Sequence, residues 1–252
     1  MTKDTSPAAL ERIRDAALRY DLGRMDMKRL TIVYFTYPAV LVYLVLSAAA
    51  IWGAVATSAG VQPWRLLAAF AAAQFLYPVV WYGLHRWILH GRWLYRMKWS
   101  ATLWKRIHYD HHQQPNRMDV LFGSLTNTLP TISLATVPVG YLIGGWSAAF
   151  TALATGLLMT CVYEFCHCIQ HLNYIPKNKW LARIKMLHMA HHFHNENGNY
   201  GIITYWPDAL LGTLYGAKER PRSPTVFNLG YDGEEAERYP WVAELSGDTP
   251  RR

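Results

Sequence analysis

Eleven histidines are spread through this 252-residue chain in four tight groups. His85 and His90 form an HxxxxH. His108, His111 and His112 form an HxxHH. His167 and His171 form an HxxxH, and His188, His191 and His192 form a second HxxHH with His194 close behind. On a helix, residues three and four apart share a face, so each HxxHH is expected to converge on one point, as is the HxxxH. His85 and His90, five apart, diverge on a straight helix. They serve either different metals or one metal from a bent helix end. Neutral imidazole is the commonest metal ligand. The ten histidines of the four motifs exceed what one tetrahedral zinc needs, and suffice for two metals with positions left open for oxygen or substrate. Imidazole suits iron and zinc alike, so either metal is compatible with these ligands in a purified sample. His194 is a spare ligand or a solvated residue.

Several neighbours are candidates to support these ligands. Glu164 lies three residues before His167, on the same helix face, where its carboxylate is placed to accept the free N–H of an imidazole. Asp110, inside HYDHH, either orients a neighbouring motif or is solvated. Asn195, Asn197 and Asn199 around Gly198 read as the turn after the last motif. Tyr200 and Asp208 either support the site or serve packing and capping. Cys161, Cys166 and Cys168 crowd one apolar stretch, which is no disulfide framework; the two that flank His167 read as small apolar filling. Trp81, Trp87, Trp93 and Trp99 read as an interfacial aromatic belt.

The elements that must position the histidines are apolar. Of the residues, 52% are hydrophobic, 14% aromatic and only 17% charged, against about 25% charged in ordinary soluble domains. Residues 30–56 and 66–84 are uncharged runs, and a bilayer crossing needs about 20 residues. The stretch 120–165 reads as two further crossings, 121–143 and 146–166, joined in a tight hairpin at Gly144-Gly145-Trp146 and interrupted by Pro130 and Pro138. The expectation is an all-α integral membrane protein with four transmembrane helices and a cytoplasmic, His-rich helical cap. Of the 25 Lys and Arg, seven precede the first crossing, seven lie between the second and third, and ten follow the fourth. Only Arg65 falls on the other side, so both termini and all four histidine motifs are expected to be cytoplasmic. This topology also accounts for the net charge of +8, so a nucleic-acid partner is not expected. Crossings two and four end on the same side, each delivering a histidine pair, and the loops after them each deliver an HxxHH. Such a cap would let a lipid keep its tail in the bilayer and lift one carbon to the metals. A metal transporter, the rival from another class, needs ligands near the bilayer midplane, where this chain has almost none.

The flanks divide the chain into a cytoplasmic segment 1–29, a membrane domain 30–216 and a tail 217–252. The first segment has no hydrophobic core of a signal peptide, and Leu10, Ile13 and Leu18 beside Arg12, Arg14 and Arg19 predict a short surface helix. The tail, with Pro221, Pro224, Gly230, Gly233 and Pro240, reads as irregular.

The series HRWILH, HYDHH, HCIQH and HMAHH resembles the histidine boxes of the fatty acid hydroxylase/sterol desaturase superfamily of membrane oxygenases. The stretch 199–216, NYGIITYWPDALLGTLYG, is similar to that family's tail after its last box, and the resemblance covers about residues 75–216. HxxxxH first and HxxxH third look most like the fatty acid 2-hydroxylases, and the YEFCH run resembles an acidic residue those enzymes carry one turn before the third box. Sterol desaturases more often begin with HxxxH, and beta-carotene hydroxylases lengthen the third box. The resemblance implies an O2-dependent oxidoreductase, a monooxygenase of lipid metabolism holding two metal ions, with iron expected. The ten box histidines would be its ligands, with no catalytic acid or base beyond them. It implies hydroxylation of an unactivated C–H bond, first in a fatty-acyl chain of a membrane lipid, with a carotenoid ring or desaturation of a lipid or sterol as alternatives. This sequence departs from the fatty acid 2-hydroxylases in having no His-Pro-Gly-Gly haem motif of cytochrome b5. Electrons are therefore expected from a separate redox partner, a ferredoxin or a cytochrome b5-type protein.

Overall fold

The computed structural model describes residues 20–246, so the helix expected around residues 10–19 lies outside the described residues. The described chain is all-helical. Three helical segments are long and apolar enough to cross a membrane: Pro38–Ala56, Pro63–Leu89 and Leu125–His171.

The first apolar run is not one helix. Helix α1 (Met27–Phe35) ends at Thr36, and α2 (Pro38–Ala56) restarts with Pro38 in its first turn. A proline has no N–H to continue α1 and drives the preceding residue out of the helical region. Tyr37 accordingly sits at φ −72°, ψ 130°. The Tyr34 hydroxyl then donates to the Cys161 carbonyl at 2.5 Å, tying α1 to the last apolar segment.

Helix α3 (Pro63–Gly83) continues into a π-helical segment, Leu84–Leu89. The short α4 (Lys98–Trp104) likewise runs into a π-helical segment, Lys105–Tyr109. Both carry box histidines, and wider helical turns of this kind recur at functional sites.

The long segment α5 (Leu125–His171) folds back on itself. Gly144 (φ −162°, ψ 29°) and Gly145 (φ 69°, ψ −156°) leave the helical region between its two halves. The Gly145 conformation is one that only glycine adopts readily. A Cβ on Gly140 would lie 2.5 Å from the Ala148 carbonyl oxygen, and one on Gly156 would lie 2.9 Å from Ile132 and Thr136 side-chain carbons. These pairs run antiparallel in sequence, so 125–143 and 146–171 form a closely packed helical hairpin of small residues. The hairpin stands where the glycines predict it. It begins at Leu125 rather than 121, passes through Pro130 and Pro138 without breaking, and extends five residues beyond 166 to His171. Ala69 and Ala73 of α3 pack on Ala148 and Ala152 of the hairpin.

Helix α6 (Lys179–Phe193) lies across the end of the hairpin, where Lys185 Nζ donates to the Ile169 and Leu172 carbonyls. The short α7 (Trp206–Leu210) follows. The tail is irregular only over residues 217–232, which run through turns as its composition suggests. Beyond them it forms α8 (Gly233–Arg238) and α9 (Trp241–Ser246). Leu229, Tyr231 and Val242 bury against Tyr95, Trp104 and Tyr109. Trp241 Nε1 donates to the Tyr95 carbonyl at 2.7 Å, and Arg96 pairs with Glu235 at 3.1 Å. The proline and glycine content that marks this tail as loop hides the apolar residues that close it over the histidines.

Candidate metal centre

The ten box histidines gather at one end of the molecule in two groups of five. One holds His85, His90, His108, His112 and His191; the other holds His111, His167, His171, His188 and His192. Within each group the ligand atoms lie within 4.8 Å of one another. The π-helical segment settles the arrangement of the first box. Its wider turn bonds the His90 N–H to the His85 carbonyl five residues back, at 3.1 Å, and brings both rings to one group.

Each HxxHH divides between the groups instead of converging on one point. His108 and His112, four apart, share the first group, while His111 joins the second. His188 and His192 share the second, and His191 joins the first. The reason is helical geometry: i and i+4 lie on one face, whereas i+3 and i+4 are adjacent residues whose side chains diverge by about 100°. The two boxes therefore interlock the groups.

The donor set fits metal. In the first group, His108 Nε2 stands 3.1 Å from His85 Nε2, 2.9 Å from His90 Nε2 and 3.1 Å from His112 Nε2. In the second, His167 Nε2 is 3.1 Å from His111 Nε2 and 3.0 Å from His188 Nε2, which is 2.9 Å from His171 Nε2. Lone pairs this close repel unless a cation or a proton lies between them. Metal–imidazole bonds of about 2.0–2.1 Å at right angles give ligand edges of about 2.9 Å, against about 3.4 Å for a tetrahedron. The spacing therefore suits more than four ligands per metal. His191 Nε2 and His192 Nε2 are buried with no hydrogen-bond partner among the described residues, leaving both lone pairs available to a cation. Burial, reinforced by neighbouring imidazoles, holds His108, His111, His188 and His192 well below the ordinary histidine range. Burial likewise lowers His112 and His191 to about 3 against an opposing backbone hydrogen bond. All of them are neutral at pH 7, the form that ligates metal.

The two groups differ in how their rings are held. In the first, Nδ1 of His85 donates to the Tyr200 carbonyl at 2.6 Å, that of His112 to the Val226 carbonyl at 3.0 Å, and that of His191 to the Gly198 carbonyl at 2.8 Å. These bonds fix the tautomer and aim Nε2 inward. In the second group, Nδ1 of His111, His167, His171, His188 and His192 has no such partner among the described residues. Glu164 comes within 4.0 Å of His167 Nδ1, near enough for an ion pair but beyond hydrogen-bond reach. It lines the adjoining cavity instead.

Other candidates fall elsewhere. Asp110 pairs with Lys105 at 2.5 Å and joins neither histidine group. His194 belongs to neither group and donates from Nε2 to the Arg220 carbonyl at 2.7 Å. Asn195 Oδ1 accepts from the Asn197 N–H, and Asn199 takes φ 53°, so the Asn-rich stretch is the expected turn. Asp208 accepts from the N–H groups of Tyr200 and Gly201 at 2.8 Å each and from the Thr213 hydroxyl at 2.8 Å. It thereby shapes the loop whose carbonyls hold His85 and His191. Trp87, Trp93 and Trp99 are exposed, as a belt requires. Trp81 is not part of it; it stacks on Tyr77 and faces a cavity.

That cavity, of about 380 Å³, abuts both groups. His85 and His108 of the first and His111 and His167 of the second stand in its wall, with Glu164 and Tyr163. Trp81, Leu84, Ile88, Leu89, Leu103, Ile107 and Leu121 make the rest mostly apolar.

The sequence profile of the fatty acid hydroxylase family matches residues 70–213. The match covers more than half of the chain, and the chain belongs to this family. Among curated proteins it is similar to the ceramide very long chain fatty acid hydroxylase SCS7 of Saccharomyces cerevisiae, with 26% identity over 58% of this chain and 38% of that protein. It is also similar to the dihydroceramide fatty acyl 2-hydroxylase FAH2 of Arabidopsis thaliana, at 31% over 54% of this chain and 56% of that one. A beta-carotene hydroxylase of Paracoccus sp. matches at 28% over 44% of this chain and 64% of its own. The chain thus spans about two-fifths to two-thirds of the length of these relatives. The solved structure of full-length Scs7p, in which only the hydroxylase domain is visible, superposes with a TM-score of 0.63. It shares 21% identity, over 75% of this chain and 69% of that one, a likeness of fold.

Proposed function

We propose that this protein is an integral membrane lipid hydroxylase whose two five-histidine groups each hold a metal ion, iron being expected. Four membrane crossings, α1–α2, α3 and the two arms of the hairpin, would leave the histidine cap and both termini in the cytoplasm, in keeping with the one-sided distribution of Lys and Arg. The observation that carries the reading is the apolar cavity with histidines of both groups in its wall.

When bound, the metals would supply O2 activation and abstraction of hydrogen from an unactivated C–H bond, using two electrons from a separate redox protein of the ferredoxin or cytochrome b5 type. The chain's own part is positional. The Tyr200, Val226 and Gly198 carbonyls orient three ligands. Trp81, Leu84, Ile88 and Leu103 present a dry apolar wall suited to an acyl chain and exclude water from the reacting carbon. Among the described residues the cavity wall offers only Glu164 and the Tyr163 phenol beside the histidines, so proton transfer by side chains has a minor place.

The substrate favoured is a fatty-acyl chain of a membrane lipid, in line with the names of SCS7, a ceramide fatty acid hydroxylase, and FAH2, a dihydroceramide fatty acyl 2-hydroxylase. The test is expression in a heterologous host under isotopic oxygen gas, with lipid analysis by mass spectrometry. A hydroxylated acyl lipid labelled from the gas and not from water is expected. A hydroxylated carotenoid would move the substrate, a new double bond without oxygen would change the reaction to desaturation, and label from water would replace the oxygenase with a hydrolytic metal site.

A further inference from the structure

Helix α7 and the residue after it expose apolar side chains although they belong to the cap. Leu210 is 74% exposed, Leu211 47% and Trp206 37%. The depth of this turn is fixed by one contact. The Trp206 ring stacks on Phe75, with centroids 5.3 Å apart and planes 20° apart. Phe75 lies in the middle of the apolar segment Pro63–Leu89 and is itself 62% exposed. It stands eight residues before the end of α3, which places it about 12 Å along the helix axis from Gly83. A bilayer half-core is about 15 Å thick. A ring stacked on Phe75 therefore sits at hydrocarbon depth, on the outer face of α3.

We infer that Trp206–Leu211 is a wedge seated in the acyl region of the cytoplasmic leaflet, with Leu210 and Leu211 in contact with lipid chains. The occupant of this surface is the bilayer itself, because the patch is continuous with the exposed apolar face of α3. A non-spanning turn at such depth is tolerated only where its backbone groups are satisfied within the protein. Several of them are: the Ala209 and Leu211 N–H groups bond to the Tyr205 and Pro207 carbonyls, and the Thr213 and Leu214 N–H groups bond to the Asp208 carbonyl. The same turn carries Asp208, whose carboxylate holds the Tyr200 and Gly201 N–H groups. The wedge thus fixes, from the lipid side, the loop that orients His85 and His191.

This inference rests on the bilayer reading of the three apolar segments, and its test separates the two. A nitroxide is attached to the full-length protein at Leu210→Cys, at Leu134→Cys on the exposed face of the hairpin, and at Glu237→Cys on the exposed cap. The native cysteines are buried, and the protein without an added cysteine measures their background labelling. In phosphatidylcholine nanodiscs, collision of each label with O2 and with a water-soluble nickel chelate is compared. Position 210 is expected to match 134, with O2 favoured over the chelate by at least tenfold relative to 237. A value at 210 equal to that at 237, with 134 in hydrocarbon, overturns the wedge alone. Aqueous values at both 210 and 134 overturn the wedge and the bilayer reading together. If labelling at 210 disturbs the fold, Leu211→Cys serves as the second position under the same criteria.

Discussion

His111 and His112 are neighbours in sequence, yet their rings belong to different five-histidine groups. The same division recurs at His191 and His192. The two groups therefore share a backbone at two places and cannot move independently. His111→Ala and His112→Ala should each lower metal retention by at least ~100-fold at one group, since even partners of ligands are worth 10–100-fold. Metal analysis after dialysis should find about one equivalent lost in each and both lost in the double variant. His194→Ala should retain both metals, because its ring bonds to the Arg220 carbonyl and belongs to neither group.

The histidine motifs were legible because their chemistry is written in side chains at fixed spacing. What escaped is carried by backbone. The carbonyls of Gly198, Tyr200 and Val226 hold His191, His85 and His112, and a carbonyl is the same whatever residue bears it. Nor does HRWILH announce a π-helical turn; five-residue spacing is compatible with it, and only the bend shows which of the two readings holds. The allocation within each HxxHH follows from the angle between adjacent residues, once two centres exist to receive them. The hairpin was legible from Gly144-Gly145. The packing of the tail was not, because Leu229 and Tyr231 stand among prolines and glycines and their burial depends on Tyr95 and Trp104, more than a hundred residues away.

Asp208 gives a prediction about the support of the site. Asp208→Ala removes the acceptor of two buried backbone N–H groups, each at 2.8 Å. Leaving such donors unpaired costs about 1–3 kcal/mol apiece. The loop holding His85 and His191 should loosen, and metal affinity should fall by ~10–100-fold. Thermal unfolding and competition with a chelator measure the two effects separately. Loss of stability with unchanged affinity would remove Asp208 from any role in orienting ligands.

The neutral histidines make stability depend on pH. In the folded, metal-free protein His112 and His191 titrate at about 3, below the unfolded value of about 6.5. The unfolded state then binds more protons between these values, so stability is fully present above about pH 6.5 and is lost as pH falls towards 3. The melting temperature of metal-free protein should decline steadily below pH 6.5. Bound metal should raise it most near neutral pH, where ligation needs no deprotonation. A flat profile between pH 7 and 4 would show that the imidazoles are hydrated or charged in the fold.

Gly145 supplies a test of the hairpin. Its φ of 69° and ψ of −156° lie where a side chain is strained, although a Cβ there meets no neighbour. Gly145→Ala should cost about 1–3 kcal/mol through backbone strain alone. Gly140→Ala should cost more, because its Cβ would stand 2.5 Å from the Ala148 carbonyl oxygen and force the two arms apart. Unfolding in mild detergent compares the pair. Equal, negligible effects would mean that the chain does not fold back at these glycines.

The cavity separates substrate binding from metal binding. Leu103 lines it without belonging to either histidine group. Leu103→Trp adds an indole to a space of about 380 Å³, and should displace part of an acyl chain while leaving every imidazole in place. Metal content should stay at two equivalents, and product formation should fall at least ~10-fold, a loss of about 1.4 kcal/mol in transition-state stabilisation. The loss should appear mainly in KM if the ring blocks entry, and in kcat if it tilts the bound chain away from the metals. Leu103→Ala enlarges the same wall and should relax the preference for chain shape, read by competition between acyl lipids of different branching. If both variants hydroxylate the wild-type product at the wild-type rate, the acyl chain lies elsewhere, and the histidines would have to meet their substrate from the opposite side of the cap.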